Sequence, residues 1–128
     1  MLIIYTDGAC FGNPGPMGRG VVVYRGKKKI MEISEYVGEG TNNIAEYLAL
    51  IRALEIVKKT GENEVHIKTD SELLARQING EYKVKDRKLK PLKAKVDGLM
   101  LGMKVKVEHV PREENEEADR LSKRAILQ

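Results

Sequence analysis

The chain has 128 residues, enough for one domain with its own core, so residues 1–128 are expected to fold as a single unit. With 41% hydrophobic and 33% charged residues and no apolar run of spanning length, it reads as a globular chain without membrane insertion. A net charge of +4 favours a polyanionic partner, and a lone cysteine, Cys10, excludes an internal disulfide; with no signal-like leader, the cytoplasm is the expected location.

Leu2-Ile3-Ile4-Tyr5-Thr6-Asp7 opens as a strand, a continuous apolar run of the kind covered on both faces. It ends in an aspartate, a residue depleted in strands and costly to bury without a partner. Gly8 to Pro16 reads as a glycine-rich loop, and Gly20 to Arg25 as a second strand. Gly26-Lys27-Lys28-Lys29 turns the chain into a third strand, Ile30 to Val37, giving a hairpin and a meander with the first. The loop Gly38 to Asn43 ends in N-cap chemistry, and a helix is expected to about Thr60, with Ile44, Leu48, Ile51 and Leu54 on one stripe. Gly61 stops it.

Val65 to Asp70 alternates apolar and polar, a fourth strand that again ends in an aspartate. Ser71 starts a short helix that stops near Gly80. Lys83 to Lys95 carries seven basic residues against one acidic, Asp86. Leu89, Leu92, Val96, Leu99 and Met103 recur at helical spacing, with Pro91 in the first turn. Lys104 to Val110 is a fifth strand, and a last helix starts near Asn115 with Ala118, Leu121, Ala125 and Ile126 on one face. The order describes an α/β fold, a five-stranded mixed sheet flanked by helices.

Four carboxylates stand out by setting: Asp7 and Asp70 at strand ends, Glu46 and Asp119 early in helices. Each has an ordinary alternative. Glu46 lies three residues after Asn43, the spacing of a capping box. Asp70 is placed to cap the next helix, and Asp119 to complement a helix dipole. His66 and His109 read as surface positions on strands. Strand ends and helix starts nevertheless converge at one edge of an open sheet, where clefts form. Four converged carboxylates repel unless cations neutralise them. An all-oxygen donor set favours hard ions, Mg²⁺ or Mn²⁺, and two of them form the arrangement that supports phosphodiester cleavage.

Asp7-Gly8-Ala9-Cys10 with Gly12-Asn13-Pro14-Gly15, Thr41-Asn42-Asn43 before Glu46, Thr69-Asp70-Ser71, and Asn115 with Ala118-Asp119 together resemble the type 1 ribonuclease H family, ribonuclease HI. The resemblance spans the chain. It implies the ribonuclease H-like fold and a divalent-metal-dependent endonuclease that cuts the RNA strand of RNA/DNA hybrids, leaving 3′-hydroxyl and 5′-phosphate ends. It implies Asp7, Glu46, Asp70 and Asp119 as ligands of two Mg²⁺ or Mn²⁺ ions. It also places Cys10, Asn13, Asn42 and Asn43 in the hybrid's minor groove, where the 2′-hydroxyl distinguishes RNA. Thr41 matches a position that binds a phosphate of the DNA strand.

The chain departs from that pattern in three places. The loop Val110 to Asn115 is short and lacks the family's histidine, leaving Arg112 as the candidate to meet the scissile phosphate or leaving group, with a surface ion pair to Glu113 or Glu116 as the alternative. Glu72 stands where the family often has an amide, either weakening backbone contact or adding an outer contact to the metal. The tryptophan-bearing basic protrusion of some members is missing, and Lys83, Lys85, Arg87 and Lys88 offer a smaller basic patch, the first three as candidate nucleic-acid contacts. A monomer acting on hybrids, with double-stranded RNA left open as a substrate, is the expectation; a non-catalytic nucleic-acid-binding module and a hydrolase of small phosphate esters are the alternatives.

Overall fold

A computed structural model describes residues 1–127. The elements run β1 (Leu2–Cys10), β2 (Gly15–Arg25), β3 (Lys28–Gly40), α1 (Asn42–Thr60), β4 (Glu64–Thr69), α2 (Glu72–Ile78), α3 (Lys90–Met100), β5 (Lys104–His109), a 3₁₀ turn at Arg112–Glu114, and α4 (Glu116–Leu127). The sheet order is β3-β2-β1-β4-β5, with β1, β2 and β3 antiparallel and β4 and β5 parallel additions beside β1. This is the expected mixed five-stranded sheet. No helix among the described residues is long and apolar enough to cross a membrane.

Alternation along β1 sorts its side chains onto two faces. Leu2 and Ile4 join Val21, Val23, Val65 and Ile67 in the main core beneath α1, α2 and α3. Tyr5 faces the other way, toward a smaller cluster of Val22, Ala118 and Leu121 under α4. Helix α1 is buried well beyond the expected single stripe: Ala45, Tyr47, Ala49, Leu50, Ala53, Ile56 and Val57 are all enclosed. It packs on β1 on one side and on α3 on another, so most of its circumference is covered. Tyr47, 1% exposed, satisfies its hydroxyl by donating to Gln77 Oε1 at 2.7 Å.

The expected glycine-rich loop is mostly strand. β1 continues to Cys10 and β2 starts at Gly15, so Asp7 lies inside an antiparallel pair opposite Gly20 rather than at a strand end. Glycine here allows close contact instead of a turn. A Cβ at Gly8 would stand 2.2 Å from the Ala45 carbonyl carbon of α1, and one at Gly20 2.2 Å from Ala118 O of α4. The cap of α1 also differs: Thr41, not Asn43, is the N-cap, its Oγ1 accepting from Ile44 N at 3.3 Å. Likewise Ser71, not Asp70, caps α2, accepting from Leu74 N at 3.2 Å. The capping alternatives for Glu46 and Asp70 therefore do not hold.

Candidate active site

The parallel pairing of β1 with β4 runs out at Thr6 and Thr69. One residue further on each strand are Asp7 and Asp70, with no ladder between them. Gly8 brings α1 against β1 at this point, and Glu46 Oε1 accepts from Gly8 N at 2.8 Å. One carboxylate oxygen each from Asp7, Glu46 and Asp70 lies within 4.8 Å of the others, a grouping able to hold a metal ion. The open side is a cavity of about 320 Å³ that also exposes Asn42, Arg112, Asp119 and Lys123.

Electrostatics within the group are strained. Burial pushes the Asp7 carboxyl up to about 8, and the charges of Asp70 and Asp119 add to this against the pull of a hydrogen bond from Ser122. Glu46 is raised well above the ordinary carboxylate range, first by burial of its carboxyl end and then by the charge of Asp7. Desolvation and like charge both favour the neutral acid. Three acidic side chains crowded in this way form a group whose repulsion a divalent cation would relieve, and the all-oxygen set fits a hard ion.

Asp119 does not join the close group. It projects into the same cavity, but its Oδ2 is 3.1 Å from Lys123 Nζ, one turn along α4. The exposed lysine side chain supplies the counter-charge that the other three carboxylates lack. Lys123 and Ser122 escaped the sequence reading. Ser122 is fully buried and its Oγ donates to Asp7 Oδ2 at 2.5 Å. An i, i+4 pairing with Asp119 was visible for Lys123, but nothing in the sequence showed which way Ser122 faced.

The remaining predicted residues divide. Cys10 lines the cavity, and its thiol is turned to Gly40 O, 3.3 Å away. Asn13 Oδ1 accepts from Asn42 N at 3.0 Å, tying the β1–β2 connection to the start of α1 and leaving the Asn13 amide donor free. Asn42 and Asn43 are exposed at the same corner, and the Thr41 hydroxyl, although it caps α1, keeps its own proton to donate. Arg112 is exposed at the cavity and, among the described residues, pairs with neither Glu113 nor Glu116. Glu72 turns back along α2 to Arg76, 3.0 Å away, and lies outside the close group. Lys83, Lys85 and Arg87 are exposed on the segment between α2 and α3 and do not line the cavity. His109 is exposed, and His66 Nε2 sits 2.7 Å from Glu108 Oε1 off the hydrogen-bonding direction; neither borders the site.

A five-stranded mixed sheet with acidic side chains gathered where β1 and β4 part defines a protein of the ribonuclease H-like class. The RNase H family model matches residues 1–127, and the chain belongs to that family. Ribonuclease HI of Halobacterium salinarum is 38% identical over 124 residues, covering 95% of this chain and 62% of that protein. The bifunctional protein Rv2228c of Mycobacterium tuberculosis is 37% identical over 98% of this chain but only 35% of its own length. The chain thus spans less than two thirds of these relatives. Among solved structures, the N-terminal RNase H domain of that mycobacterial protein superposes with a TM-score of 0.93 at 37% identity, covering 98% of each chain. LC11-RNase H1, solved in complex with an RNA/DNA hybrid, gives a TM-score of 0.93 at 45% identity over 98% of this chain and 96% of its own.

Proposed function

We propose that this chain is a divalent-cation-dependent endoribonuclease that cleaves the RNA strand of RNA/DNA hybrids. The observation that carries this reading is the convergence of Asp7, Glu46 and Asp70 at the parting of β1 and β4, with Asp7 and Glu46 pushed toward the neutral form. Asp7, Glu46, Asp70 and, once released from Lys123, Asp119 would hold two Mg²⁺ or Mn²⁺ ions. Bound there, such cations supply charge stabilisation for the phosphate and a lowered pKa for water. In the overall reaction a water oxygen bonds to phosphorus, the P–O3′ bond breaks and O3′ takes up a proton, leaving 3′-hydroxyl and 5′-phosphate ends.

The protein's own groups select and place the substrate. The free amide of Asn13, with Asn42, Asn43 and the backbone at Cys10, meets the minor groove and its 2′-hydroxyls. Thr41 donates to a phosphate of the DNA strand, and Arg112 steadies charge on the scissile phosphate or the leaving oxygen. Lys83, Lys85 and Arg87 attract the duplex from a distance. LC11-RNase H1, whose structure contains an RNA/DNA hybrid, supports the choice of substrate class.

The test is a panel of labelled RNA/DNA, RNA/RNA, DNA/DNA and single-stranded RNA, each with Mg²⁺, Mn²⁺ or chelator. Cleavage of the hybrid's RNA strand only when cation is present, with 5′-phosphorylated products, is the expected result. Hybrid binding without cleavage under every cation condition would make this chain a binding module and overturn the proposal.

A further inference from the structure

Of the four buried positions on α4, Ala118, Leu121, Ser122 and Ala125, only Ser122 is polar. A buried hydroxyl must find a partner, and a helical serine usually bonds back to its own preceding turn. Ser122 has that option, with Asp119 O 2.8 Å from its Oγ. It also lies 2.5 Å from Asp7 Oδ2, a partner 115 residues away in sequence. A hydroxyl has one proton; the Asp7 carboxyl oxygen is the nearer acceptor, and it becomes the stronger one whenever Asp7 is ionised, as a cation ligand must be.

The contact is enforced by backbone packing rather than by side-chain choice. A Cβ at Gly18 would come 2.1 Å from Ser122 O, and one at Gly20 would come 2.7 Å from Ser122 N. Both glycines lie on β2, and Gly20 is the residue paired with Asp7. The α4 backbone is therefore pressed onto β2 beside Asp7, and the serine's short side chain spans the gap. The terminal torsion of an aspartate is otherwise broad, so an unheld carboxylate turns freely.

We propose that Ser122 is a positioning residue that fixes the Asp7 carboxylate for cation binding. This rests on the reading of Asp7 as a cation ligand. By holding Oδ2, Ser122 sets the plane of the carboxylate and relates it to Glu46 and Asp70. Hydrogen-bond partners of metal ligands act in this way, and their loss lowers metal affinity. The same bond joins α4, which carries Asp119, to the strand that carries Asp7.

The experiment compares Mn²⁺ binding by calorimetry in the unsubstituted chain, Ser122→Ala, Ser122→Cys and Asp7→Asn, alongside cleavage across a Mn²⁺ titration and hybrid affinity in chelator. Ser122→Ala should raise the Mn²⁺ dissociation constant about tenfold. Its cleavage rate should recover to within about twofold of the unsubstituted rate at saturating Mn²⁺, because affinity and not the chemical step is impaired. Hybrid affinity in chelator should not move. If the alanine variant does not fold, the near-isosteric cysteine variant, a weaker donor, provides the same comparison. An unchanged Mn²⁺ affinity, or a rate deficit that persists at saturating Mn²⁺, would overturn the assignment. The Asp7→Asn arm separates the two levels: if it too binds Mn²⁺ normally, the cation site itself is misplaced.

Discussion

The carboxylate site and the basic segment are built in opposite ways. Asp7, Glu46 and Asp70 are mounted on β1, α1 and the end of β4; Gly8 lets the α1 backbone lie directly on β1, and β4 is hydrogen-bonded to β1 up to Thr69. Lys83, Lys85 and Arg87 are exposed on a connection without helix or strand. Like charges repel and resist burial, so only elements already rigid can force them together. Solvated cations act through screened, long-range attraction and need no fixed geometry. Substitutions at the first region should therefore act on the rate in large steps, and those at the second should grade the affinity.

The largest effect is expected from Asp7→Asn or Asp70→Asn. Each removes a proposed cation ligand at the centre of the group, and metal-ion catalysis contributes several kcal/mol, so single-turnover cleavage should fall by about 10³-fold or more. Hybrid binding should persist, since neither side chain is among the groups proposed to meet the groove. Near-normal turnover in either variant would dissolve the distinction between the two regions.

The metal-free fold should carry the strain of the buried acids as a pH dependence. The Asp7 carboxyl is raised from 3.8 to about 8, so the folded chain holds this proton more tightly than the unfolded chain does. Its stabilising contribution is complete below the unfolded value and is lost as pH rises through about 8. Thermal unfolding in chelator should thus show a decline between pH 5 and pH 9 on the order of a few kcal/mol, flattened in Asp7→Asn. A pH-independent midpoint would mean that the carboxyls are not strained.

Arg112→Ala should produce an intermediate effect. A charge-stabilising side chain that cannot shuttle protons belongs near or below the low end of acid–base contributions, about 10²-fold, on rate more than on binding. An unchanged single-turnover rate would remove Arg112 from the site.

The smallest effect belongs to the basic segment. Lys83, Lys85 and Arg87 changed together to Ala should flatten the slope of log affinity against log salt by up to about 0.9 for each phosphate that is no longer neutralised. The preference for hybrid over DNA duplex should stay the same. Changing Asn13 and Asn43 to Ala should do the reverse, and an unaltered slope in the triple variant would show that the duplex lies elsewhere.

The difference between the regions also explains what was legible in the sequence. The succession of strands and helices along the chain, the basic run and the four acids could be read because each depends on local pattern: alternation, apolar runs and residues at element junctions. What was hidden depends on distant backbone contact. Gly8 read as a loop residue, Gly18 fell outside any expected element and Gly20 read only as the start of a strand, because their role, letting α1 and α4 approach the sheet, has no local signature. For the same reason Asp7 was placed at a strand end although β1 runs on to Cys10. The pairing of Asp119 with Lys123 depends on side-chain choice within one helix. Ser122 faces Asp7 only because α4 folds back across the chain's first strand.

The central claim is that buried, proton-holding carboxylates at the parting of β1 and β4 form a cation site. Isothermal titration of Mg²⁺ into the metal-free chain near pH 7, repeated in buffers of different ionisation enthalpy, measures the protons released per ion bound. Binding must displace the proton of Asp7, whose carboxyl is raised to about 8, because ligating carboxylates are ionised; burial acts in the same direction on Glu46. The account predicts net proton release that is abolished or sharply reduced in Asp7→Asn; Mg²⁺ binding without proton release, or equal release in that variant, would contradict it.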